Sequence, residues 1–275
     1  MQDKIITIYC FLDELLNALG HHDDKQAILT TAEVMTVALV AAEFFAGCHQ
    51  HALTFLSEHR YLKPLSKPLS KSRFNRRLHA IPECLWQSVL AVLAQCHQDA
   101  NPAAVHLVDT LPVPVCHNIR ISRCRLYQGE DYRNWCEAKK QYFFGLKVCL
   151  IVTAGGAPIE FVLFPGGFGD ITCLRSMPLE LPPDSTLIAD AGFTDYGFED
   201  DLIEAALIRL LALRKKNSLR PHPGWLVYWC QYHRKRVETT FSQLTERLAR
   251  SIHAVTPRGF ELKVFLTVLA FSLVG

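Results

Sequence analysis

Three acidic residues in this chain stand where metal-assisted phosphoryl chemistry would need them. Asp109 closes the run VHLVD, Asp190 closes STLIAD, and Glu238 lies in HRKRVETTFSQLTERL. The first two runs read as strands that end in an acid, the third as a helix. Strand ends at the carboxyl edge of a sheet are where reaction centres gather, and a helix beside that edge can add a ligand. Displacement at phosphorus builds negative charge on the attacking and leaving oxygens, and two divalent ions ~3.5–4 Å apart stabilise both. Carboxylates are hard oxygen donors, so two Mg²⁺ (or Mn²⁺) ions are expected, with Asp109 bridging both, Asp190 holding one and Glu238 the other. Arg234 lies one helical turn before Glu238, where a guanidinium can orient the carboxylate and also grip a phosphate with two parallel bonds.

Each acid alone has a plainer reading. An Asp after a strand often serves a turn or a cap, and a Glu among arginines often forms a surface pair worth a few tenths of a kcal/mol. Their order along the chain raises the chemical reading, so the elements around them matter.

Residues 4–19 carry apolar side chains at helical spacing and stop at Gly20. Thr30 and Glu33 have capping-box spacing ahead of the apolar run 34–46, and a third helix is expected over 50–59. After turns at Pro64 and Pro68, Ser70 can cap the short basic helix KSRFNRRLHAI, and Pro82 opens a helix to about residue 98. From 102 the texture changes to β-branched and aromatic runs. A strand over 105–115 is expected to end or bend at Asp109, Pro112 and Pro114. Strands 143–153 and 158–164 are joined by Gly155-Gly156, a hairpin signal. A short helix from Asp170, a strand 185–190, a helix 197–205, a strand 207–213 and helices 229–249 and 258–272 complete the chain. A hairpin followed by alternating strands and helices predicts an α/β fold: an RNase H-like mixed sheet with flanking helices, preceded by a helical region. Asp109 then falls on the first strand and Asp190 on the fourth, side by side. The expected division is 1–98, helical and DNA-binding, and 99–275, catalytic.

Bulk composition bounds the rest. The 275 residues are 49% hydrophobic, enough for a sizeable core, and the net charge of +2 says nothing about partners. The distribution does: residues 1–58 hold eight acids and two bases, whereas 60–82 hold seven bases, among them Lys67, and no acid. Arg73, Arg76 and Arg77 lie in that stretch and are candidate DNA contacts, as are Lys215 and Lys216 just past a strand. Ten cysteines scattered singly, with no leader ahead of them, point to reduced thiols in the cytoplasm. The longest apolar runs fall short of the roughly 20 residues that cross a bilayer, so no membrane span is expected.

Softer signals remain. Cys116, His117, Cys124 and Cys136 match no common zinc spacing. Arg120, Arg123, Arg125, Arg133, Lys139 and Lys140, mixed with Tyr127, Tyr132 and Trp135, read as a loop-like insertion that could follow a DNA backbone and stack on a frayed end. Gly166, Gly167 and Gly169 make no nucleotide fingerprint, and Asp170 reads as a helix cap that could still approach the site.

The segments VDTLPVPVCHN, FFGLKVCLIV, FPGGFGDITCL, LIADAGFTD, LRKKNS and HRKRVETTFSQL resemble, in order, those of bacterial insertion-sequence transposases of the DDE class, specifically the insertion-sequence family numbered 982. The shared pattern is Asp-Ser/Thr-x-Pro, then Asp-Lys/Ala-Gly-Tyr/Phe, then Arg-x-x-x-Glu. The resemblance implies a metal-binding triad of Asp109, Asp190 and Glu238 with Arg234 as companion, cutting of element ends, joining of 3′-hydroxyls to target DNA, and a homodimer on double-stranded DNA at the bacterial nucleoid. Many relatives have Lys where this chain has Ala191, and a base where it has Thr245, with Arg247 nearby. The rivals are an RNase H-like nuclease that cuts without joining and a non-catalytic helix-turn-helix regulator built on residues 50–80.

Overall fold

The computed structural model describes residues 1–63, 69–136, 140–248 and 252–275. Pro64, Lys67, Pro68, Lys139 and the last residue of the helix expected over 229–249 lie outside the described residues. In chain order the elements are α1 (Gln2–Ala18), α2 (Thr31–Phe44), α3 (His49–Glu58), α4 (Lys71–His79), α5 (Glu83–Asp99), β1 (Val105–Pro114), β2 (Arg133–Cys136), β3 (Gln141–Thr153), β4 (Pro158–Pro165), α6 (Asp170–Arg175), β5 (Thr186–Ala189), α7 (Tyr196–Ala206), β6 (Arg209–Ala212), α8 (Gly224–Arg247) and α9 (Pro257–Val274). They form two units: Met1–Leu93 with Leu244–His253 and Arg258–Gly275, and Ala94–Gln243 with Ala254–Pro257.

The first unit is helical and is organised around α2. Val34, Met35 and the whole run Val37–Ala41 are fully buried, which is why this helix reads as a continuous apolar stretch rather than a stripe. Its start is set by the expected capping box: Thr30 Oγ1 accepts the Glu33 N–H at 3.1 Å and Glu33 Oε2 accepts the Thr30 N–H at 2.7 Å. Ile5, Ile8, Leu12 and Leu16 of α1 pack into the same core, and so do Leu266, Leu269 and Ala270 of α9. The final helix, expected within 99–275, therefore belongs to this helical unit. Glu43, only 4% exposed at its side chain, is neutralised by Lys4 Nζ and Arg247 Nε, each at 2.9 Å. No single helix among the described residues is long and apolar enough to cross a membrane.

The second unit holds the mixed sheet. Strand β3 pairs antiparallel with β1 on one side and with β4 on the other, while β1, β5 and β6 run parallel. The spatial order β4-β3-β1-β5-β6, flanked by helices, is the RNase H-like α/β arrangement expected. The Gly155-Gly156 turn joins β3 to β4, with Gly156 at φ 93° in the left-handed region that glycine tolerates. One sheet face is covered by α6 and α7 through Val108, Cys149, Ile151, Cys173, Leu187 and Leu202, among others.

Two expectations are corrected. β1 does not end at Asp109 but continues through Pro112 to Pro114. Val115 donates to the Phe144 carbonyl and Ala154 to that of Val105, so odd-numbered β1 residues bond toward β3 and even-numbered ones face away. Pro112 and Pro114 thus direct their donor-free nitrogens to the side where the β5 ladder has already stopped at Leu107. The arginine-rich insertion is also less loop-like than expected. It forms 3-10 turns at Asn118–Arg123 and Glu130–Tyr132, then the short strand β2 on residues 141–144 of β3. Four residues are too few to show a period of two in sequence.

Gly145 faces Pro114 across the ladder, and a Cβ there would come within 2.2 Å of the Val113 carbonyl oxygen and 2.8 Å of the Val115 nitrogen. Both are backbone atoms that cannot step aside. Gly145→Ala should therefore destabilise the protein by ~1–3 kcal/mol, or more, read as a lower urea midpoint at unchanged slope. An unchanged midpoint would refute this account of the crossing.

Candidate active site

Parallel pairing brings two of the predicted acids together. Val105, His106 and Leu107 pair with Thr186, Leu187 and Ile188, and two further residues along each strand lead to Asp109 and Asp190. Val108, Leu187 and Ala189 face the core under α6 and α7, so by strand alternation Asp109 and Asp190 share the opposite face. Each carboxylate accepts the N–H of the next residue at 2.7 Å, Thr110 for Asp109 and Ala191 for Asp190. Asp190 follows the last residue of β5 and caps the 3-10 turn Ala191–Phe193.

Arg234 reaches this pair from α8. Its Nη1 lies 3.2 Å from Asp190 Oδ1, so the ion pair that sequence spacing suggested with Glu238 forms instead across the fold. Burial pushes the Asp109 carboxyl up to about 6; the Thr110 N–H and the Arg234 charge oppose the shift, and Asp170 and Asp190 add to it. Glu238 sits one turn beyond Arg234, exposed, beside the buried Val237. Among the described residues no three His, Cys, Asp or Glu side chains are close enough to hold one metal ion, so the three acids are not closed into a cage. Asp109 and Asp190 nevertheless fit a hard divalent cation. Their donors are carboxylate oxygens, and the Asp109 carboxyl is raised chiefly by its removal from water, with Asp170 and Asp190 adding less.

Asp170 also departs from the sequence reading. The residue capping α6 is Gly169, without a side-chain cap, and the Asp170 carboxylate turns inward. Its Oδ1 accepts Thr110 Oγ1–H and Lys147 Nζ–H, each at 2.9 Å. Lys147 was not singled out, although a lone lysine inside the apolar run FFGLKVCLIV was the available signal.

The basic candidates fall in several places. Lys215 and Lys216 occupy an exposed turn after β6, whose Ala212 pairs with Ala189, so they leave the sheet at the same edge as Asp190. On α4, Arg73 and Arg76 are exposed, whereas Arg77 is held by Asp23 at 2.6 Å. Tyr127 is buried and packs on Tyr132 at 4.8 Å, so these rings of the insertion serve its own packing. Trp135 stays exposed against Tyr142, with Arg133 over the Tyr142 ring. The α8 helix also presents a face that the sequence reading missed: Trp225, Tyr228 and Tyr232 are 71%, 72% and 64% exposed. All ten cysteines are free, and Cys116, His117, Cys124 and Cys136 gather no metal-binding group.

A family model described as a transposase DDE domain matches residues 101–273, well over half of the chain. The chain belongs to this transposase DDE-domain family. No curated protein and no solved structure is significantly similar to it. The matched span of this DDE-family chain includes Asp109, Asp190, Arg234 and Glu238.

The Asp109 environment makes a pH prediction. The folded pKa of about 6 lies above the ordinary 3.8, so its stabilising contribution is complete below about pH 4 and is lost as pH rises through about 6. Asp109→Asn keeps an acceptor for Thr110 but cannot ionise. Without divalent cations, this variant should be more stable than the parent by ~1–3 kcal/mol at pH 7.5, the difference vanishing near pH 4. Parallel thermal melts across that range would check it.

Proposed function

We propose that this chain is a transposase that cuts the ends of a mobile DNA element and joins the freed 3′-hydroxyls to target DNA by two-metal-ion phosphoryl transfer. Its motifs favour the insertion-sequence family numbered 982. The single observation that carries the reading is that Asp109 and Asp190 each lie two residues beyond the last paired position of the parallel β1–β5 ladder of an RNase H-like sheet, with Arg234 on Asp190.

In this reading Asp109 and Asp190 would hold Mg²⁺ or Mn²⁺, and Glu238 on α8, exposed and not clustered with them, would have to approach to serve as the third ligand. Bound ions would activate the attacking water or 3′-hydroxyl and stabilise the leaving oxygen. Asp109 contributes a half-buried carboxylate whose ionised form a cation would favour. Arg234 neutralises Asp190 and, from the same place, can offer N–H donors to a phosphate. No covalent enzyme intermediate is needed, so no Ser or Tyr is assigned as nucleophile.

Further support comes from surfaces suited to a polyanion. Lys215 and Lys216 flank the sheet edge, and Arg73 and Arg76 remain solvent-facing on α4, with Arg77 a weaker contact because of Asp23. Lys235 and Arg236 share the outer face of α8 with Trp225, Tyr228 and Tyr232, a combination of rings and cations that suits an unpaired strand. A homodimer working on double-stranded DNA at the bacterial nucleoid, one protomer per element end, completes the proposal.

The test supplies end-bearing DNA and Mg²⁺. Asp190→Asn and Glu238→Gln should each slow cleavage by more than about a hundredfold, since even outer partners of metal ligands are worth ~10–100-fold, while leaving DNA binding largely intact. Cutting with joining supports the transposase. Cutting alone turns the reading to a nuclease, and binding with neither, unaltered by Asp109→Asn, turns it to a regulator.

A further inference from the structure

The backbone bonds joining β1 to β5 stop at Leu107 and Ile188, two residues short of Asp109 and Asp190. Two like charges are thus held together just beyond the last ladder contact that could fix their separation. Something else must set that distance, and one side chain touches both strands' continuations.

Asp170 Oδ1 accepts from Thr110, the residue after Asp109. The same oxygen accepts from Lys147, which rises from the neighbouring strand β3 and donates also to the Phe168 carbonyl at 2.7 Å. On the other side, the position a Cβ would take on Gly192 lies 2.9 Å from Asp170 Oδ2. Gly192 belongs to the turn that Asp190 caps, so Asp170 fits there because Gly192 has no side chain. One carboxylate therefore spans β1, β3 and the turn after β5. Lys147 is only 7% exposed, and a buried ammonium is costly unless paired, so Lys147 and Asp170 hold each other in place. With Oδ1 already taken by two donors, Asp170 is suited to brace the site and poorly placed to serve as a metal ligand.

We propose that Asp170, locked by Lys147, is a positioning residue that sets the spacing of Asp109 and Asp190 and so tunes their affinity for a divalent cation; this rests on the metal-dependent reading above. The role also explains the glycine of the DAGF segment as room for the Asp170 carboxylate.

The experiment measures Mn²⁺ binding to the full chain by electron paramagnetic resonance titration, without DNA or turnover. Asp109→Asn should abolish tight binding. Asp170→Asn should weaken it ~10–100-fold and lower metal-free melting, because Lys147 loses its carboxylate; Thr110→Val and Gly192→Ala should weaken it about tenfold, with metal-free melting and metal-free DNA binding closer to the parent's. In cleavage, the half-saturating Mg²⁺ concentration should rise while the rate at saturating metal largely recovers. Should Asp170→Asn fail to fold, the other two variants decide, each changing a single small group. Parent-like Mn²⁺ affinity in the folded variants overturns the proposal. Loss as complete as in Asp109→Asn makes Asp170 a ligand and overturns it too. If the parent binds no Mn²⁺, the metal reading falls and this inference with it; binding kept by the parent and lost only in Asp109→Asn sinks the positioning role alone.

Discussion

The constraint on which the site depends is the withdrawal of the Asp109 carboxyl from water, with two further aspartates close by, just past the end of the parallel β1–β5 ladder. Asp109 is half-buried, and Asp190 and Asp170 lie close enough to add to the pressure on it. A fold tolerates this only with compensating donors nearby. Backbone N–H groups of Thr110 and Ala191, the Arg234 guanidinium and the Lys147 ammonium supply them, and each comes from a different part of the sheet unit.

The surrounding structure serves that concentration. The β1 strand is paired on both sides through Leu107 and with β3 alone from there to Pro114, where Pro112 and Pro114 offer no N–H to a further strand. α8 combines a buried side, with Cys230, Val237 and Thr240, an Arg234 that reaches Asp190, and an exposed aromatic face. Thr240 ties it to the β3–β4 turn through the Gly156 carbonyl at 3.0 Å, where Gly156 also leaves no Cβ in the way. Elsewhere in the sheet unit, buried charge is paired outright: Arg214 meets Glu199 through two bonds of 2.6 Å.

Much of this was legible before any coordinates. The helices of the first third announce themselves through caps and spacing, Thr30 with Glu33 most clearly, because capping is a contact between residues three apart. The hairpin announces itself through Gly155-Gly156. Less legible were β2, too short to show a period, and the continuation of β1 through two prolines, which depends on which side of the strand has a neighbour. Asp170 read as a cap because sequence shows its helix but not the lysine that turns it inward.

Composition and order along the chain by themselves determined the fold class, the alternation of elements, and the placement of Asp109 and Asp190 on neighbouring strands, since these follow from periodicity and from the connections that parallel strands permit. Tertiary structure alone decided which charges meet. Arg234 chose Asp190, Arg77 chose Asp23, and Lys147 chose Asp170, over separations in sequence of tens of residues. Ion pairs of that kind leave no local pattern, because they depend on where folded surfaces bring side chains and on how little water remains between them.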